Sequence, residues 1–430
     1  MIKRDWYLNK LKKKKENGLV KVITGQRRVG KSFLLFNIFA DYLKSEGIKD
    51  DHIISLALDD LQNERYLNPH ELDSFLREKI IDDGKYTYIL IDEIQMVKEV
   101  SNPYLPNATV SFIDVVLGIM KIKNVDLYIT GSNSEMLSHN ILTKFRGKSD
   151  NLYVRPLSYK EFYSAYKGDI TKAFEEYSLY GGMPYILNFE SYEDKVQYLE
   201  NLFDEIYLKD LIENKKLKDS ELIISDLLNI VASNIGSLTN PFKLANIFNS
   251  LKKIELNPQK IECYLNFFID CFFIGKAKRY DIKGNKYLLT PYKYYFTDLG
   301  LRNARLNFSI IEQNHIMENI IYNELLLRGF SVDVGNIEYH YKENNLSKRK
   351  QLEIDFVCRK GSNVLYIQSA YSIQEKEKLE QEIRGLKMIR NSFRKIVVTH
   401  DKMIACHDNN GIIYVNIEDF LLDDKYTNEI

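Results

Sequence analysis

The feature that most constrains this chain is the run LVKVITGQRRVGKSF at residues 19–33. A short apolar stretch ends at Thr24; Gly25, four residues and Gly30-Lys31-Ser32 follow, and then the amphipathic pattern FLLFNIFADYL. Leu19 to Thr24 reads as a buried strand, and Ser32 to Tyr42 as a helix with Phe33, Phe36 and Ile38 among its apolar positions. G-x-x-x-x-G-K-S between a strand and a helix is the setting of a phosphate-binding loop rather than of a chance glycine turn. Its two glycines reach backbone angles that turn amides inward. Those amides and the helix N-terminus form a positive nest for phosphate oxygens. Lys31 is placed to reach the β- and γ-phosphates of a nucleotide, and the Ser32 hydroxyl to ligate Mg²⁺. Gln26, Arg27, Arg28 and Val29 fill the loop, so Gly25 to Phe33 is the expected nucleotide cradle. Arg27 and Arg28 either touch the nucleotide's edges or are solvated.

A loop of this kind needs an acidic strand beside it, and YTYILIDEIQMV at residues 86–97 supplies one. Asp92 falls at the strand's C-terminal end, where ligands gather in open α/β sheets. Asp92 is expected to hold Mg²⁺, directly or through water, and Glu93 to polarise the attacking water. A third strand, VDLYITGSNSEML at 125–137, ends in Thr130-Gly131-Ser132-Asn133. Asn133 is the first candidate to reach the γ-phosphate or the water and Ser132 the second; a plain turn capping the next helix fits the same residues. Further strands fit residues 52–60 and 151–157, with helices near 69–80 and 109–121. Alternating β and α elements imply a parallel sheet with helices on both faces.

GQRRVGKS, LIDEIQ, ITGSNSEML, FRGK, RPLSYKEF and YGGMP occur here as a set. From about residue 15 to the end the chain resembles a group of prokaryotic AAA+-type P-loop ATPases that carry a C-terminal domain of unknown function. The resemblance implies ATP and Mg²⁺ as ligands, slow hydrolysis and the AAA+ strand order. It also implies that Arg146, in TKFRGKSDN, is the arginine directed at a γ-phosphate, often that of a neighbouring subunit; a surface arginine is the competing reading. A homo-oligomer is compatible with this, as is a protein partner that the residues do not name.

Residues 171–217 are helical in pattern, broken by GGMP, and resemble the family's small lid. From residue 220 three helical stretches precede FFIGKAKRYDIKGNKYLLTPYKYYFTD, which alternates as a hairpin with a KGN turn. Helix–helix–helix–hairpin is the order of a winged helix, and Pro241 and Pro258 each sit at a helix start, where proline is tolerated. Base readout needs several donors on the third helix, and few are present there. DNA contact, if made, would use phosphates and the hairpin cations Lys276, Lys278, Arg279, Lys283 and Lys286; a spacer or protein-contact module is the other reading.

The last block joins a helix carrying Glu318 and Glu324 to strands EIDFVC and NVLYIQSAY. This resembles the restriction-endonuclease-like fold, in which two acids hold Mg²⁺ and a lysine stabilises charge on the phosphate. Asp355 fits the first acid, but Gln368 stands where an acid is expected and Ala370 where the lysine is expected. Lys376 or Lys378 would have to substitute, so the block is expected to be nuclease-like and inactive. His400, Cys406, His407 and Asp408 match no standard zinc spacing and read as a loop.

The expected organisation is thus α/β: a P-loop AAA+ core with a parallel sheet (1–165), a helical lid (166–219), a winged helix (220–300) and a restriction-endonuclease-like domain (301–430). Composition bounds the partners. Sixty basic residues balance 60 acidic ones, which removes any strong global pull on nucleic acid or an acidic membrane. Four scattered cysteines without a C-x-x-C pair fit a reducing cytosol. No 18-residue apolar run and no signal-type segment is present, so the expectation is a cytoplasmic protein without a membrane partner.

Overall fold

The computed structural model describes the chain except for residues 1, 132–144, 146, 205–220, 253–255, 310, 344–345 and 429–430. It divides into two units, one of residues 1–155 with 270–272, the other of 156–269 with 273–430.

In the first unit five strands form a sheet: β1 Val20–Thr24, β2 Ile53–Ala57, β3 Thr87–Asp92, β4 Val125–Gly131 and β5 Ser149–Tyr153. Their order is β2-β3-β4-β1-β5, and every pairing is parallel. Strands covered on both faces are apolar along their whole length rather than alternating; β1 and β3 are buried at every position. That is why VKVIT and TYILID are legible as strands although neither alternates. The helices α1 Asp5–Lys14, α3 Pro69–Lys79 and α4 Phe112–Ile119 flank the sheet, as does α2, residues 31–45. α2 widens to π-type bonding over Leu34–Phe39 before closing again, a local irregularity often found at functional sites. Leu72, Leu76, Val115 and Val116 pack on Ile89, Ile91 and Leu127 in one apolar core.

A charged cluster lies deep in this sheet. Lys21 on β1 is fully buried and pairs with Asp126 on β4. Tyr128 Oη donates to the same carboxylate at 2.7 Å and the Glu16 backbone N–H at 2.9 Å. Burial pushes Lys21 down, and Asp126 only partly offsets it.

The second unit begins with α5 Tyr159–Ala165, α6 Ala173–Tyr180 and α7 Tyr192–Asn201. The YGGMP motif ends α6, and its Gly182 backbone N–H donates to Asp298 Oδ2 at 2.7 Å. Asp298 also caps α11 Leu299–Arg305 through the Leu301 N–H, and burial pushes its carboxyl up to about 6. The motif's role here is to join two helices.

Three helices, α8 Glu221–Ser233, α9 Pro241–Lys252 and α10 Pro258–Asp270, precede the hairpin β6 Ile274–Asp281 and β7 Lys286–Phe296. The hairpin is not free-standing. β6 pairs in parallel with β8 Ser331–Glu343, so hydrogen bonds cross the expected boundary at residue 300. β9 Leu346–Lys360, β10 Asn363–Ala370, β11 Arg394–Thr399, β12 Cys406–His407 and β13 Ile412–Asn416 complete an eight-stranded mixed sheet. Its order is β12-β13-β11-β10-β9-β8-β6-β7. α12 Gln313–Leu327 and α13 Lys376–Met388 pack on it, and α14 Ile417–Leu422 closes the chain. Among the described residues no helix is long and apolar enough to cross a membrane.

Candidate nucleotide-binding site

The loop between β1 and α2 is shaped by its glycines. Gly25 has φ 149°, and a Cβ there would stand 2.2 Å from the Val154 carbonyl oxygen. Only glycine lets the loop lie against the segment that follows β5. Gly30 has φ 90° and no atom within 4 Å of where a Cβ would be, so its face of the loop is open. Val29 is buried, while Arg27, Arg28, Ser32 and Phe33 are exposed. Gln26 is buried; its Nε2 donates to the Phe272 carbonyl at 2.8 Å, and its Oε1 accepts no hydrogen bond among the described residues.

Lys31 is 4 % exposed. Its ammonium donates to the Gly25 carbonyl at 3.2 Å and the Gln26 carbonyl at 2.8 Å. Burial pushes it down to about 8, against the opposing pull of Glu93 and Asp92 and with a small further push from Arg27. The cation is thus desolvated and hydrogen-bonded to neutral carbonyls.

Asp92 ends β3, one strand over from β4, and is 3 % exposed. Burial pushes its carboxyl up, and hydrogen bonds from Ser32 and Thr130 oppose this. Glu93 follows with φ 52°, a left-handed backbone rare outside glycine, and its carboxylate accepts from Gln95 Nε2. Ser32, Asp92 and Glu93, singled out from sequence, therefore meet beside Lys31 at the C-terminal end of the sheet.

Two residues that the sequence does not single out complete the arrangement. Thr130, fully buried on β4, donates to Asp92 Oδ1 and accepts from the Glu93 N–H at 3.2 Å. One hydroxyl thereby sets the spacing of both acids. The available signal was its position: a polar residue at the end of the strand next to β3. Arg4 donates to the Val29 carbonyl at 3.0 Å and the Arg155 carbonyl at 2.8 Å, tying the loop to the segment after β5. Nothing in the local pattern around Arg4 marks it. Asn133, Ser132 and Arg146 lie outside the described residues.

The donor set fits a nucleotide with a divalent ion: an open glycine face, a buried ammonium that among the described residues bonds loop carbonyls rather than a carboxylate, and a hydroxyl close enough to a buried carboxylate to oppose its upward shift. Ser32 and Asp92 are the groups that would hold Mg²⁺.

In the second unit the sequence-predicted acids do come together. Glu318 on α12 and Asp355 on β9 both face one ammonium, but it belongs to Lys293 on β7 and not to Lys376 or Lys378. Gln368 accepts from the Asp355 N–H at 3.4 Å and donates to Glu382 at 3.1 Å. His400 stacks on Tyr371, with ring centroids 4.7 Å apart. Among the described residues no set of His, Cys, Asp and Glu has metal-holding geometry.

A phosphate-binding loop at the switch between β1 and its neighbours, with an acidic strand end beside it, defines a P-loop ATPase domain, and the family model "AAA domain" matches residues 17–163. A second model, "Domain of unknown function (DUF8612)", matches residues 171–310. The chain belongs to the same family as an uncharacterized protein of Haemophilus influenzae, with which it shares 33 % identity over 427 residues, 98 % of this chain and 99 % of that one. An uncharacterized protein of Methanocaldococcus jannaschii is 28 % identical over 385 residues, 85 % of this chain and 77 % of that one. Among solved structures, the Walker-type ATPase of Pyrococcus abyssi aligns over 71 % of this chain and 96 % of its own, at 14 % identity and a TM-score of 0.48.

Proposed function

We propose that the protein is a Mg²⁺-dependent ATP hydrolase whose nucleotide state regulates its C-terminal half. The observation that carries this is the convergence of Lys31, Ser32, Asp92, Glu93 and Thr130 on one end of the parallel sheet. The amides of Gly25 to Phe33 cradle the phosphates, and Lys31 exchanges its two loop carbonyls for phosphate oxygens. Ser32 and Asp92 hold the ion, which supplies charge neutralisation at the β- and γ-phosphates. Glu93 orients and polarises water; its carboxylate, held by Gln95, must turn to do so. Asn133 and Arg146 are assigned the roles of γ-phosphate contact and finger, the latter from a neighbouring copy in a homo-oligomer.

On this reading residues 166–219 form a lid, 220–300 a winged helix and 301–430 a nuclease-like domain without nuclease activity, in a cytoplasmic protein. The competing reading is ATP-dependent DNA binding through the hairpin. Its cations are largely occupied within the chain: Lys276 lies 3.8 Å from the Tyr292 ring centroid, Arg279 bonds Asn336 and Gln351, and Lys283 donates to the Glu338 carbonyl. That favours a protein-contact role. ATP turnover, measured with and without duplex or single-stranded DNA at fixed salt, separates the two. Hydrolysis that DNA leaves unchanged supports the first reading; no turnover in any condition rejects it.

A further inference from the structure

The second unit contains a charged cluster that the ATPase reading does not use. Lys293, on β7 of the hairpin, is 3 % exposed. Its ammonium lies 2.7 Å from Glu318 Oε1, 2.7 Å from Glu353 Oε1 and 3.4 Å from Asp355 Oδ1. Three carboxylates from a helix and a strand meet one cation. An ammonium has three N–H donors and no acceptor, so three oxygens satisfy it completely. Tyr295, two residues on, donates to the same Glu318 oxygen at 2.6 Å. The Ser369 N–H fixes the other Asp355 oxygen at 2.9 Å.

We propose that Lys293 is the resident cation of this cluster, standing where a nuclease-like fold would hold a divalent metal ion and closing that site to metal and to phosphodiester alike. Two further observations support it. The buried ammonium spends its donors on three carboxylates, which leaves none for a substrate phosphate. Gln368, at the position where a further metal-binding acid is expected, spends its amide on the Asp355 N–H and Glu382. The electrostatics agree. Burial alone would push Lys293 down, but Glu318, Asp355 and Glu353 together outweigh it and hold it above the ordinary lysine range. Burial and Glu318 push the Asp355 carboxyl up, against the opposing pull of Lys293.

The inference stands on this cluster alone and is independent of ATP binding in the first unit. It makes a gain-of-site prediction. With Lys293 in place the three carboxylates are not grouped as a metal site; removing the ammonium leaves them with no counter-charge, and closing on an oxygen-seeking cation would relieve their repulsion. The test uses the full chain without nucleotide, with Tb³⁺ as the probe, because Tyr295 against Glu318 sensitises emission from an ion held there. Wild type is expected to show no Tb³⁺ emission that Asp355→Asn removes. Lys293→Met should show saturable emission, lost in the Lys293→Met/Asp355→Asn double variant. In thermal melts Lys293→Met should fall below wild type in EDTA and recover part of the loss in Ca²⁺ or Mn²⁺, while wild type does not respond. Wild type that binds one Mn²⁺ or Tb³⁺ in an Asp355-dependent way overturns the proposal. So does a Lys293→Met chain that neither binds nor is restored by a divalent ion.

Discussion

Lys31 and Lys293 are 4 % and 3 % exposed, yet their ammonium groups are shifted in opposite directions. Lys31 is pushed down to about 8, because desolvation outweighs the pull of Glu93 and Asp92 on a cation that, among the described residues, bonds loop carbonyls. Lys293 is held above the ordinary range, because three carboxylates more than offset the same desolvation. The first is a charge kept waiting for an anionic ligand. The second is a charge already matched within the fold. Similar burial therefore says little about a lysine's role; the formal charge of its acceptors decides it.

The largest expected effect tests the waiting charge. Lys31→Ala should weaken ATP binding by roughly 30-fold or more, the equivalent of the about 2–5 kcal/mol lost when one partner of a buried hydrogen-bonded charge pair is truncated. Glu93→Gln should bind ATP nearly as wild type and lose turnover. Equilibrium binding of labelled ATP alongside a phosphate-release assay checks both; Lys31→Ala binding at wild-type affinity would sink the assignment.

Next comes stability, where the two lysines should differ in sign. Lys293→Met breaks a buried pair and leaves uncompensated carboxylates, a loss of about 3–5 kcal/mol. Lys31→Met removes a cation whose burial opposes folding, so the nucleotide-free chain should melt no lower than wild type. Denaturation of both variants in EDTA is the measurement, and equal losses would erase the comparison drawn above.

Thr130→Val is expected to cost less. It removes the hydroxyl that joins Asp92 to the Glu93 backbone, a charge-assisted bond of about 1.5–3 kcal/mol. Turnover should fall by about ten- to a hundredfold, the equivalent of that range, with ATP affinity little changed and Thr130→Ser restoring most of the rate. A change confined to affinity would count against a role in placing the two acids.

The smallest effect is in pH. Below about 8 apo Lys31 is charged, and above it the ammonium loses its proton. Bound phosphates favour the charged form, so binding above that pH takes up a proton and affinity should decline, by at most about tenfold per pH unit. For folding the sign is the reverse. A lysine lowered in the folded state opposes folding below about 8, and this opposition is relieved as pH rises toward 10.5. Lys293, raised instead, contributes evenly across that window and loses its contribution only above it. Calorimetric titration in buffers of different ionisation enthalpy from pH 7 to 9.5 reads the proton uptake directly; ATP affinity flat with pH would place Lys31 outside the phosphate site.

What the residues alone determined is what depends on near neighbours. Gly25 to Ser32 is a single turn, so its chemistry is written in eight consecutive letters. β1 and β3 show as mainly apolar runs, Lys21 of β1 being a buried exception, because both their faces are covered. The placement of Asp92 and Glu93 follows from where that run stops. The tertiary structure decided the rest. Thr130 meets Asp92 across 38 residues of chain, Arg4 meets Val29 across 25, and Lys293 meets Asp355 across 62. Reading along NVLYIQSAY finds Ala370 in place of a lysine and turns to the nearby Lys376 and Lys378. The cation that reaches Asp355 comes instead from the hairpin, because β6 joins the C-terminal sheet beside β8 and the next strand, β7, carries Lys293 to α12 and β9. Local pattern fixes which chemistry a segment carries. Which of many lysines completes a site depends on strand order, and strand order is settled by the packing of the whole sheet.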